Sequence, residues 1–200
     1  VRNAETNLGD LCADAYRALS NADIAFVNGG GIRKQIEAGD ITLDDIYSVH
    51  PFGNTMCVIR VTGQQVLDAL EWGARAVPSE NGGFLQVSGL TYEIHTGVAS
   101  SAEKDENGMF TRVSGEYRVK NVMVGGQPLE LDKTYTLASH NYMLLGNGDG
   151  YTMFDGCEVL GEDMMVDNQV LITYITTTLG GVVGEQYANP YGDGRIVAVE

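Results

Sequence analysis

Asn28-Gly29-Gly30-Gly31-Ile32-Arg33 places three residues without Cβ between an amide and a guanidinium. Such a loop lets a ligand approach the backbone closely while Asn28 and the planar fork of Arg33 fix it, and the fork suits a phosphate. The same residues also read as a turn with a solvent-exposed arginine. Pro51-Phe52-Gly53-Asn54 holds an aromatic ring between a rigid residue and a permissive one, although a lone Phe more often anchors a core. The run from Asn141-Tyr142-Met143 to Gly146-Asn147-Gly148-Asp149-Gly150-Tyr151 adds a second aromatic and one carboxylate in a glycine-rich loop. By itself that loop could be a calcium-like turn. Together the three segments hold what a nucleotide requires. Two rings can sandwich a flat heterocycle, an arginine can face a phosphate bidentately, and Asp149 can accept hydrogen bonds from two vicinal ribose hydroxyls.

No catalytic constellation accompanies them. His50, His95 and His140 stand far apart in the chain, and no HxH, HExxH or DxH pattern offers two metal ligands from one element. Each histidine is expected at the surface or hydrogen-bonded in the core. Cys12, Cys57 and Cys157 show no CxxC spacing and are assigned to the core.

The elements that must carry these loops follow from periodicity. Leu8, Leu11, Cys12, Ala15 and Leu19 share a helical face with Asn7 as a cap, and Ile24 to Val27 is a buried strand running straight into the glycines. Thr42 with Asp45 makes a capping box for a short helix that Pro51 ends. Thr55 to Val61 predicts a strand, and Thr62 caps a helix burying Val66, Ala69, Leu70 and Gly73. Further strands are expected at Phe84 to Val87, Leu90 to His95, Tyr117 to Val124, Tyr135 to Ser139 and Ile196 to Val199, with a hairpin turn at Gly125-Gly126. Thr96 to Ser114 reads as a solvent loop. Asp167 caps a last helix that Gly180-Gly181 ends. Helices and strands without strict βαβ alternation predict an α+β fold, a single mixed α/β domain.

With 27 acidic against 12 basic residues the net charge is −15. That field repels polyanions, so nucleic acid and anionic membrane are poor partners, and only converging arginines would hold a small anion. No run approaches the roughly 18 apolar residues of a membrane span. Val1 is not a natural start residue, so the 200 residues are expected to be a segment of a longer protein, and a missing signal peptide says nothing about its compartment.

Five motifs, taken in order, resemble the C-terminal domain of the 5'-nucleotidase family, which includes bacterial periplasmic nucleotidase/UDP-sugar hydrolases and the animal cell-surface 5'-nucleotidase. They are Arg2 with Glu5-Thr6-Asn7-Leu8-Gly9-Asp10-Leu11, Asn28 to Arg33, Pro51 to Asn54, Phe84-Leu85-Gln86-Val87-Ser88-Gly89, and Gly146 to Tyr151. The resemblance implies that Phe52 and Tyr142 stack on the two faces of a base. It also implies that Arg2 and Arg33 reach the ribose and phosphate, that Asn28 and Gly30 line the same place, and that Asp149 takes the ribose hydroxyls. Tyr142 stands where the family usually has phenylalanine. Its loop to Asp149 is one residue longer than usual, which makes Met143 the alternative register.

The family's phosphoesterase half precedes this domain and is not among these residues. No catalytic residue, metal ligand or cofactor is therefore expected here; two divalent metal ions would belong to that N-terminal metallophosphoesterase domain of the same polypeptide. The implied partners are that domain and a nucleoside or nucleotide substrate. The implied setting is secreted and bacterial: extracellular, cell-surface or periplasmic. A nucleoside-binding module without a catalytic partner, or an adhesion domain that keeps only the fold, are the competing readings. UDP-sugar hydrolase and 2',3'-cyclic phosphodiesterase activities share this domain type.

Overall fold

A computed structural model describes residues 1–200. The elements in chain order are α1 (Asn7–Ser20), β1 (Ile24–Asn28), α2 (Leu43–Val49), β2 (Met56–Thr62), α3 (Gly63–Ala74), β3 (Leu85–Ser88), β4 (Leu90–His95), β5 (Ala102–Lys104) and β6 (Phe110–Val113). They continue with β7 (Val119–Val124), β8 (Gln127–Pro128), β9 (Thr134–His140), α4 (Asn141–Leu144), β10 (Glu158–Gly161), α5 (Asp167–Thr173) and β11 (Ile196–Val199). A five-stranded sheet in the order β10-β2-β9-β1-β3 forms the middle of the molecule. Only β1 and β9 run parallel within it; the other neighbours are antiparallel.

Strand periodicity divides the apolar residues between the two faces of this sheet. On β1, Ile24 and Phe26 join one core with α3 and strands of the second sheet, β11-β4-β7-β8. Ala25 and Val27 join the other, under α1, α2 and α5. Every residue of β1 is thus buried. The result is a mixed α/β domain of three layers with the sheet between two cores.

The predicted capping box of Thr42 with Asp45 forms, and Thr62, predicted as a cap, also makes a box with Gln65. The cap of α1 is Thr6 rather than Asn7, because the Thr6 hydroxyl accepts from Gly9 N at 3.1 Å while Asn7 donates to Tyr187 O at 2.7 Å. Asp167 is the first residue of α5, not its cap; its carboxylate accepts from Asn54 N at 3.2 Å and ties the helix to the Pro51–Asn54 loop. The expected solvent loop at 96–114 contains the hairpin β5–β6, whose Phe110 is buried edge-on to Trp72 with ring centroids 5.7 Å apart. One buried aromatic among polar residues was too sparse a pattern to signal those strands. Strands β8 and β10 and the four-residue α4 were likewise not anticipated. They are short, and burial of β10 is slight.

Candidate functional site

Four segments of the chain reach the same edge of the central sheet. The parallel strands β1 and β9 end there, at Asn28 and His140, and the antiparallel β2 and β3 begin there after Pro51–Thr55 and Asn81–Phe84. Ligand sites favour the carboxyl ends of parallel strands because the loops leaving them diverge and open a crevice. A cavity of about 380 Å³ lies at this edge, lined by Arg2, Asn28, Gly30, Gly31, Arg33, Phe52, Asn54, Gly82, Tyr142 and Asp149. All seven residues singled out in the sequence are in it. Gly31, Asn54 and Gly82 were not, although Gly31 lies within the glycine run already quoted. Asn54 closes a motif already quoted, and Gly82 belongs to the turn that feeds β3.

The glycine run is required by the protein itself more than by a ligand. A Cβ at Gly29 would collide with the Val1 carbonyl, one at Gly30 would stand 3.0 Å from Gly82 O, and one at Gly31 would stand 2.7 Å from Asn28 Oδ1. Gly30 N donates to Gly82 O at 2.7 Å. The N-terminal segment, the Asn81–Gly83 turn and the Asn28 amide therefore all press on this loop. Segment 1–4 is held in place by Gln86, whose amide donates to Val1 O and Ala4 O at 3.1 and 2.9 Å. That brings Arg2 to the cavity wall.

Arg33 is exposed, donates to Gly30 O at 3.1 Å, and stands 5.6 Å from the Phe52 ring centroid. A guanidinium at that distance is attracted to the ring face. Neither Arg33 nor Arg2 pairs with a carboxylate, whereas Arg60, Arg112 and Arg195 each do. In a chain of net charge −15, two free guanidiniums sharing a cavity form a local positive site that can accept an anion.

The aromatic pair is exposed, Phe52 by 59% and Tyr142 by 44%, while Met143 is fully buried in the core. Of the two registers, Tyr142 is the one that lines the cavity. Its hydroxyl meets Asp149 twice: it donates to Oδ1 and accepts from the Asp149 N–H, both at 3.2 Å. Burial and the Asp149 charge raise the Tyr142 hydroxyl above its ordinary range, so it keeps its proton. Asn28 Nδ2 donates to Asp149 Oδ2 at 2.6 Å, and Asn28 Oδ1 is 2.9 Å from His140 Nε2. Burial, with His50 nearby, lowers His140 to about 4, and burial lowers His50 likewise to about 4. Both rings are neutral near pH 7.

One carboxylate beside two arginines is a donor set for an anion and hydroxyls, not for divalent metals. The three close carboxylates elsewhere, Glu5, Asp10 and Asp193, are engaged otherwise. Glu5 accepts from Gly194 N and Ile196 N at 2.9 and 2.6 Å, and Arg195 pairs with Asp193 at 2.9 Å and approaches Asp10 at 3.7 Å.

Comparison with known proteins bears on the family of the chain. The family described as 5'-nucleotidase, C-terminal domain, matches residues 1–156. The trifunctional nucleotide phosphoesterase of Bacillus subtilis (strain 168) is 36% identical over all of this chain, which covers 13% of that protein. A 5'-nucleotidase of Vibrio cholerae is 34% identical over 88% of this chain and 28% of its own length. The crystal structure of a 5'-nucleotidase precursor from Thermus thermophilus superimposes on the whole chain with a TM-score of 0.82 at 32% identity, and 36% of that protein is covered. The chain thus spans well under half the length of the relatives it matches. Fold, motif order and relatives agree that this chain belongs to the 5'-nucleotidase C-terminal domain family.

Proposed function

We propose that this domain recognises a nucleoside 5'-phosphate for a metallophosphoesterase domain of the same polypeptide, which removes the phosphate. The observation that carries the reading is the composition of one cavity: two unpaired arginines, two exposed rings and one carboxylate. Phe52 and Tyr142 take the base between them, Asp149 takes the ribose hydroxyls, and Arg2 and Arg33 reach the phosphate. Arg33 is braced for this by Gly30 O and the Phe52 face. Two divalent metal ions in the partner domain would polarise the phosphoryl group and activate water. The residues of this chain bind and orient, so binding energy gained here positions the phosphate there. A nucleotide phosphoesterase and a 5'-nucleotidase among the relatives support the substrate class. The parent protein is secreted from a bacterial cell, where such enzymes meet scavenged nucleotides.

The test compares this chain alone with the intact protein, each given AMP and manganese. Phosphate release by the intact protein only is expected. Steady release by this chain alone, free of contaminating phosphatase, sinks the division of labour. An intact gene without an export signal counts against secretion.

A further inference from the structure

We propose that His140 is a positioning residue for the sugar end of the cavity: with Asn28 and the Tyr142 hydroxyl it forms a hydrogen-bond relay that presets Asp149 for a vicinal diol. The proposal rests on the nucleotide reading above. Its direction is set by donor and acceptor chemistry. Asn28 Nδ2 gives its proton to Asp149 Oδ2 at 2.6 Å, so the amide oxygen is the atom facing His140. An amide oxygen only accepts, and His140 Nε2 must therefore carry the ring proton in the 2.9 Å contact. The other ring nitrogen, Nδ1, is buried without a partner, as befits the unprotonated atom of a neutral ring. Burial lowers the ring's pKa to about 4, which keeps a single proton on it at physiological pH.

From the opposite side the Tyr142 hydroxyl donates to Asp149 Oδ1 and accepts from the Asp149 N–H. Trp72 Nε1 donates to the Asp149 carbonyl at 2.9 Å. These bonds hold Asp149 at φ +55, a left-handed conformation uncommon for a residue with a Cβ. Each carboxylate oxygen receives one bond from the protein and retains acceptor capacity towards the cavity. A ribose presents two adjacent hydroxyls, one for each oxygen. Asp149 is thereby prepaid in orientation, and a ligand without the diol gains nothing from it. The tyrosine hydroxyl is a part of the relay that a phenylalanine at this position would lack, so the ribose preference is built partly on that one oxygen.

The test measures binding of adenosine and of 2',3'-dideoxyadenosine to the intact protein that carries this chain, together with the 15N shifts of His140. The unsubstituted protein should prefer adenosine. His140→Leu and Tyr142→Phe should each weaken adenosine about 10-fold, the upper scale of a single ordinary hydrogen bond. His140→Leu should leave the dideoxynucleoside within about 2-fold, as that ligand never uses the relay. His140→Gln, whose amide N–H reaches the position of Nε2, should recover most of the adenosine affinity. The 15N shifts should show a neutral ring protonated at Nε2. An Nδ1-protonated ring overturns the proposal, and so does a folded His140→Leu protein that discriminates as the parent does. If His140→Leu does not fold, Tyr142→Phe and the tautomer of the unsubstituted protein decide. A parent protein that binds both nucleosides equally overturns the role of Asp149 and the relay with it; one that binds neither overturns the nucleotide reading itself.

Discussion

Phe52 and Met143 are both large apolar side chains near the cavity, yet Phe52 is 59% exposed and Met143 is entirely enclosed. Their substitutions should separate binding from stability. Phe52→Ala removes a stacking face worth about 1–3 kcal/mol by analogy with single-stranded nucleic-acid binders. Nucleoside affinity should fall by about 5-fold to 150-fold, with the urea midpoint almost unchanged. Tyr142→Ala should act in the same sense. Met143→Ala should lower stability by about 2–5 kcal/mol through the cavity it leaves. The idea fails if Phe52→Ala destabilises the fold as Met143→Ala does, because the ring would then be a core anchor. Asp149→Asn is expected to weaken ribonucleosides far more than dideoxynucleosides, measured as a ratio of dissociation constants.

At the level of elements, the Asp149 loop is supported from behind by a hairpin. Gly108 O lies 2.9 Å from where a Cβ of Gly150 would stand, Thr152 Oγ1 donates to Phe110 O at 2.5 Å, and Trp72 bridges Phe110 to the Asp149 carbonyl. Phe110→Ala should therefore cost about 3–5 kcal/mol in unfolding and also weaken ribose-bearing ligands, although residue 110 does not line the cavity. Calorimetry of unfolding and nucleoside titration of the same variant check both effects. This support was invisible in the sequence. Long segments with regular spacing, such as α1, β1, α3 and β9, were legible because their apolar periods report burial on one face or both. The cavity residues were legible because glycine runs, loop aromatics and the order of motifs are local. The hairpin and the His140 contact were not, since each depends on a partner far away in sequence: His140 meets Asn28 across 112 residues. Nothing near His140 distinguishes it from any other core histidine.

Across the whole molecule, proton binding sets where the fold is firmest. Burial pushes the Asp10 carboxyl from 3.8 up to about 8, Arg195 opposing and Glu5 and Asp193 adding to the shift. The folded chain therefore keeps a proton that the unfolded chain has released, and the associated stability is present below about pH 4 and lost as pH rises to about 8. Burial also raises Asp167 from 3.8 to about 6, with the same sign. His50 and His140, held at about 4 against 6.5 in the unfolded chain, lose stability in the opposite direction, as pH falls through 6.5. Between about pH 4 and 6 the two pairs offset each other. From 6.5 to 8 only Asp10 acts strongly, so stability should decline there by at most about 1.4 kcal/mol per pH unit. Asp10→Asn should flatten that decline in urea titrations; an equally steep slope in the variant shows that another group is responsible.

The hydrogen bonds that complete the cavity join residues far apart in the chain: Asn28 to Asp149 over 121 residues, Asn28 to His140 over 112 and Thr55 to Asn141 over 86. Closing loops of that length is slow, because the ordering cost precedes the contacts that offset it. The cavity should thus be among the last parts of the molecule to assemble, and a nascent chain that stops short of Asp149 has no carboxylate to offer the sugar. A nucleoside added during refolding would meet no site until the end. It should slow unfolding in proportion to its occupancy and leave the refolding rate untouched, a pattern that stopped-flow experiments with and without adenosine can read directly.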